Sequence, residues 1–291
     1  MARISNVQID RSLIQLPERL VGNPTVWVFA IDLTVLTASA LLFWNGAISR
    51  YAAGAVAFLC LYCFYTVGHE AVHGNAHPDR RINAWMGRIS VAIEGLSFPL
   101  FRVIHLQHHA FTNDAERDPD FVIGRRPRWL LPPWTVVRLL HDNHFMLRRG
   151  LWAGRRRQLL EHLATVALQI SVIAACVSTG RIEFLLWGWI GPALISGALL
   201  ELSGAWAVHY PHTSTHPLES TRMFRGRLPQ VLMLNQNYHL VHHLWPRIPW
   251  FRYGRAVAAA EQAVALHREA AAAKAEDSMA SPVVSGTRRH R

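Results

Sequence analysis

AAGAVAFLCLYCFYTVGHEAVH, residues 52–73, is an apolar run that passes without a break into the histidine pair His69 and His73. A helix needs about 20 apolar residues to cross the hydrocarbon of a bilayer. Residues 52–67 fall short of that length and reach it only if the helix continues through Gly68 and His69. The crossing then ends with imidazoles at one membrane face.

Three more runs of this kind, residues 26–44, 159–178 and 184–208, make four predicted spans with 52–69. They carry most of the 51% hydrophobic content of the 291 residues. Segment 1–25 contains Arg3, Asp10, Arg11, Glu18 and Arg19 and no compact apolar core, so no cleavable signal is expected. Connections 45–51 and 179–183 hold one basic residue each, Arg50 and Arg181, and the other 28 of the 30 basic residues lie in the remaining non-spanning segments. Excess Lys and Arg marks the cytoplasmic side. Both termini and the central segment are therefore expected in the cytoplasm.

The same asymmetry accounts for the net charge of +11 through orientation and anionic membrane lipid, without nucleic acid as a partner. Cys60, Cys63 and Cys176 all sit in apolar runs, which assigns them to packing. Segment 74–158 is too polar to cross, and its Trp85, Phe98, Phe101, Trp129, Trp134 and Trp152 among arginines suit the headgroup level. Within it, 82–100 resembles a fifth span but contains Arg88, Glu94 and Pro99, which favours an interfacial or re-entrant helix. The expected fold is all-α and integral to the membrane, with four transmembrane helices under a cytoplasmic helical cap. A membrane domain over 26–253 is followed by a helix over 254–277 and a disordered basic tail over 278–291.

Eight of the 17 histidines fall into three groups: His69-Glu-Ala-Val-His73, His105-Leu-Gln-His108-His109 and His239-Leu-Val-His242-His243. Residues three or four apart on a helix share a face, so each group aims two or three imidazoles one way. At this histidine content a given His-x-x-His-His arises by chance about 0.06 times per chain, and here it occurs twice. Imidazole suits iron, zinc, copper and nickel. The first group alone fits a zinc protease, with Glu70 as base. A zinc site needs only three protein ligands, and eight or nine imidazoles are enough for two metals. A metal-binding transporter or sensor without catalysis is the non-enzymatic alternative.

These groups, with four spans and one shared face, resemble the membrane fatty-acid desaturase and carotenoid hydroxylase superfamily over about residues 26–253. The third group continues from Asn235 through Leu244-Trp245-Pro246-Arg247-Ile248-Pro249-Trp250 to Tyr253, which is similar to bacterial and cyanobacterial β-carotene hydroxylases. The second continues to Asp118-Pro119-Asp120, a feature that hydroxylases, ketolases and desaturases share.

The resemblance implies two non-haem iron ions held by His69, His73, His105, His108, His109, His239, His242 and His243. A ninth ligand follows the fourth span, where Tyr210-Pro211-His212 matches better than His209 or His216. Hydroxylases tend to carry an acidic residue just before that turn, where this chain reads Ala205-Trp206-Ala207-Val208.

The implied activity uses dioxygen and two electrons from a ferredoxin or NAD(P)H-dependent reductase. Its expected outcome is hydroxylation of a lipid, β-carotene at the ionone ring, with fatty-acyl desaturation as the alternative. His77, Asp118, Asp120, Asn235 and Asn237 are candidates for orienting the ligands, or else loop turns and caps. Glu201, an ionisable residue within a span, borders a substrate path or makes a helix–helix hydrogen bond. No flavin, haem or nicotinamide motif is present, so electrons must come from a partner.

Overall fold

The computed structural model describes residues 7, 9–125, 129 and 131–280, and every regular element among them is helical. α1, Pro24–Trp44, starts with Pro24 in its first turn and the Asn23 side chain accepting from the Thr25 amide. α2, Arg50–His73, starts on Ser49 and ends at Gly74, whose φ of 78° is the left-handed cap that lacks a Cβ penalty. Its run past residue 69 supplies the length that the apolar residues alone lack.

α2 is the central helix of the bundle. Of its most apolar window 44% is buried inside the protein, against 11% for α1. Without a hydrophobic force between helices in lipid, close packing holds such a bundle.

α3, Arg80–Ile93, and α4, Phe98–Phe111, form a pair bent by 99°. α3 leaves from the histidine end of α2, yet α4 brings His105 Nε2 within 2.9 Å of His73 Nε2. The pair therefore leaves and returns at the same end of α2. Gly87 permits the close approach, because a Cβ there would lie 2.5 Å from Phe98 and 2.7 Å from Ala71.

α5, Phe121–Gly124, is a single turn, and α6, Leu131–Arg148, packs against the fourth span. α7, Arg156–Ser178, and α8, Ile182–Ala207, complete the four helices long and apolar enough to cross a membrane. α8 widens into π-helical turns at Leu186–Ile190 and Glu201–Ala207. Pro192 follows the first of these by two residues, where it has no N–H to donate and its ring would clash with the carbonyl of a regular turn.

α9, Arg227–Leu232, and α10, His239–Leu244, are short. α11, Tyr253–Ala280, starts one residue earlier than expected and runs through residues 278–280, which were expected to be disordered. Residues 281–291 of that expected tail lie outside the described residues. α10 and α11 share a core of Leu240, Val241, Ile248, Trp250, Tyr253, Ala256 and Ala260. This layer fixes the third histidine group beneath the ends of α2 and α8.

Candidate metal centre

Nine imidazoles gather in two groups. His69, His73, His105, His109 and His242 form one, and His108, His209, His239 and His243 the other, with ligand atoms in each within 4.8 Å of one another. In the first group Nε2 atoms face each other at 2.9 Å for His73–His105, 3.0 Å for His105–His109, 2.8 Å for His109–His242 and 3.1 Å for His69–His242. In the second, His209 lies 3.1 Å from His108 and 3.0 Å from His239, and His239 lies 3.1 Å from His243. Two nitrogens bound at about 2.1 Å and at right angles around one ion are about 3.0 Å apart. Five lone pairs converging on one point fit a cation and cannot all satisfy one another as hydrogen bonds.

The His-x-x-His-His spacing has a use that shared-face reasoning conceals. His105 and His109, one turn apart, serve the first group, and His108 serves the second. α10 inverts the pattern, with His239 and His243 in the second group and His242 in the first. Each helix thus bridges both groups, and His109 and His243 stack between them at 4.2 Å.

Burial first, and neighbouring imidazoles second, hold His105, His109, His239, His242 and His243 well below the ordinary imidazole range. They are neutral, as metal ligands must be. His108 differs: burial lowers its pKa, but Asp118 and Asp120 outweigh this and push it up to about 8.

The Nδ1 atoms show how the rings are held. His108 Nδ1 lies 2.9 Å from Asp118 Oδ1, and that carboxylate is itself fixed by the amides of Asn113 and Asp120 at 2.7 and 2.8 Å. His209 Nδ1 donates to the Ser220 carbonyl at 3.1 Å, His242 Nδ1 to Tyr253 Oη at 2.8 Å and His243 Nδ1 to Thr112 Oγ1 at 3.3 Å. Such partners set the tautomer that presents Nε2 to a metal.

The expected ninth position shifts from His212 to His209. His209 continues the line of α8, with the Tyr210 amide still bonded to the Trp206 carbonyl. His212 adopts φ 60°, its ring lies against Gly124, and its Nε2 is buried without a partner. Proximity of three histidines in one turn hides this choice from sequence.

Of the other candidates, Asp118 meets a ring directly, and Asp120 places Oδ2 3.7 Å from His108 Nδ1 while its Oδ1 accepts from Arg138 at 2.6 Å. His77 lies outside both groups and accepts from the Asp79 amide through Nδ1. Asn235 is a left-handed turn residue bonded to Gln230, and Asn237 donates to the Phe224 carbonyl. Both amides build the approach to α10 rather than touch a ring. Tyr253, Ser220, Thr112 and Gln236, which comes within 3.5 Å of His69 Nδ1, each lie on a different element from the histidine they meet, so no spacing in the sequence reveals them.

Glu70 lies behind the imidazoles, with Oε1 3.5 Å from Nδ1 of His69 and away from the converging Nε2 atoms where a protease base would act. Its Oε2 accepts from the Trp250 amide at 3.0 Å and its Oε1 from Tyr253 Oη at 3.3 Å, with no exposure to solvent.

A cavity of about 570 Å³ adjoins the histidines, and its wall includes His105, His108 and His239. Leu61, Leu96, Ile104, Val166, Ile170, Ile173 and Leu194 make most of it apolar. Polar side chains interrupt this lining, among them Arg138, which donates to Asp120, Asp142 and Glu201 at 2.6, 2.9 and 2.9 Å. A buried cation held by three carboxylates is a rigid element of the wall.

Residues 26–271 match the family described as fatty acid desaturase. A β-carotene ketolase of Paracoccus sp. (strain N81106 / MBIC 01143) is 30% identical over 194 residues, covering 65% of this chain and 71% of that protein. A dihydrorhizobitoxine desaturase of Bradyrhizobium elkanii is 25% identical over 217 residues, 64% of this chain and 60% of that one. An sn-1 oleoyl-lipid 12-desaturase of Arthrospira platensis is 22% identical over 217 residues, 65% and 61% respectively.

Proposed function

Because the chain belongs to the fatty acid desaturase family, we propose that its nine clustered imidazoles hold two iron ions and that it hydroxylates β-carotene at an ionone ring. It is a membrane protein and an oxidoreductase that acts with oxygen. The observation that carries the substrate reading is the largely apolar cavity whose wall includes His105, His108 and His239. Neutral imidazoles in this number suit iron. Bound there, iron supplies activation of dioxygen and removal of hydrogen from an unactivated carbon.

The chain's own residues do the rest. Asp118, Tyr253, Ser220 and Thr112 orient rings, and the apolar wall keeps water from the reacting carbon. Electrons come from a ferredoxin or an NAD(P)H-dependent reductase docking on the cytoplasmic face, and the excess of basic residues in the terminal and central segments supports that side for both termini and the histidines.

The ketolase relative supports a carotenoid substrate, and the Leu244-to-Trp250 stretch supports the hydroxyl outcome. Expression in a bacterium that makes β-carotene tests both. A hydroxylated carotene is the predicted product, a ketocarotene would correct the outcome, and unchanged carotene beside iron-loaded protein would refute the substrate. The oleoyl-lipid desaturase relative favours fatty-acyl desaturation as second reading, and a new double bond in the host lipids would establish it.

A further inference from the structure

Glu94 occupies the bend between α3 and α4, and its side chain forms part of the cavity wall. The same wall includes Leu96, Val166, Ile170, Ile173 and Ile190. Glu94 Oε1 is buried and has no hydrogen-bond partner. The cavity's other carboxylates, Asp120, Asp142 and Glu201, all accept from Arg138. Arg88, six residues from Glu94, is committed to Glu161 instead. Among the described residues Glu94 has no ion-pair partner, and burial alone drives its carboxyl well above the ordinary range, so it stands as a neutral acid.

The bend is also pinned in place. Gln169 of α7 donates to the carbonyls of Ala92 and Leu96 at 3.1 and 3.0 Å, and Trp189 of α8 donates to that of Ile93 at 2.6 Å. The backbone that carries the carboxyl is therefore fixed against α7 and α8. A buried polar group without a partner is rare and calls for one. A rigid carboxylic acid that both donates and accepts, set in an apolar wall, is matched by a ligand hydroxyl or carbonyl.

We propose that Glu94 makes the cavity selective for a lipid that already carries an oxygen function, a hydroxyl or carbonyl, displaced from the carbon to be oxidised. The displacement follows from the helix: Phe98 to His105 is about 10 Å of α4. This deepens the proposed function and rests on its premise that the cavity is the substrate site. Within the carotenoids it favours a carotene that already carries one oxygen function over β-carotene, which remains a substrate and binds more weakly because it leaves the carboxyl without a partner.

Equilibrium binding tests the selectivity without relying on turnover. The full-length, iron-loaded protein in lipid nanodiscs is titrated with β-carotene and with its monohydroxylated derivative, followed by carotenoid absorption. A second pair, an oleoyl lipid and its hydroxylated counterpart, covers the acyl reading.

The expected result is at least about tenfold tighter binding of the oxygenated member of one pair. That preference should fall to about one in Glu94→Leu and persist in Glu94→Gln, whose carboxamide also donates and accepts. Iron content equal to wild type in both variants verifies the fold. Equal affinities within both pairs for the wild-type protein, or a preference that survives Glu94→Leu, would overturn the inference. Failure of either lipid class to be oxidised strikes the proposed function and leaves the affinity ratio readable.

Discussion

Tyr253 Oη lies 2.8 Å from Nδ1 of His242, at the start of α11 and with no solvent exposure. The same hydroxyl donates to Glu70 at 3.3 Å, so a carboxylate on α2 reaches a ring on α10 through a residue of neither helix.

Tyr253→Phe keeps the aromatic packing and removes this link. Loss of such a partner weakens metal binding about 10-fold to 100-fold. Competition with a chelator should show faster metal loss from the variant, with its helical circular dichroism unchanged. Retention equal to wild type would remove Tyr253 from the account.

His209 and His212 are three residues apart and have opposite predicted effects. His209→Ala removes one of four imidazoles in the second group and should lower bound metal toward one ion per chain. His212→Ala should leave two, since its ring lies against Gly124 and contributes to neither group. Metal analysis of the two purified variants distinguishes them.

Glu94 has a raised pKa in the folded protein because of burial. The folded state then holds a proton that the unfolded chain releases near the ordinary carboxyl range, so stability is greatest below that range and declines as pH rises. The slope is at most about 1.4 kcal/mol per pH unit. Thermal unfolding in detergent should show Glu94→Gln gaining on wild type from pH 5 to pH 8. A constant difference across that range would contradict the buried, neutral acid.

Gly87→Ala places a methyl within 2.5 Å of Phe98 and 2.7 Å of Ala71. Overpacking of this kind costs about 1–3 kcal/mol. The melting temperature should fall, and metal content should fall with it, because α3 can no longer hold α4 against α2.

The spans were legible because bilayer length and apolar runs speak through composition alone, as residues 26–44 and α1 illustrate. Arg88, Glu94 and Pro99 argued against a fifth span over 82–100, but the break into α3 and α4 was not legible, and Pro99 opens α4 instead of closing a helix. The eight histidines were visible in their spacing, whereas their division into five and four with His209 was not. That division depends on three helix ends meeting, and sequence records only neighbours within one helix. Asn235 and Asn237 look like ligand supports by adjacency to α10, yet the chain turns their amides to Gln230 and Phe224. Gln236 between them comes within 3.5 Å of His69.

A pair of irons in the cage of nine imidazoles is the proposed state of the site. Metal content and Mössbauer spectra of the purified, iron-57-grown protein test it most directly. Two irons per chain in nitrogen-rich sites, lost together with activity in His105→Ala and His239→Ala, are the predicted result. One zinc per chain, with activity intact in those variants, would contradict it.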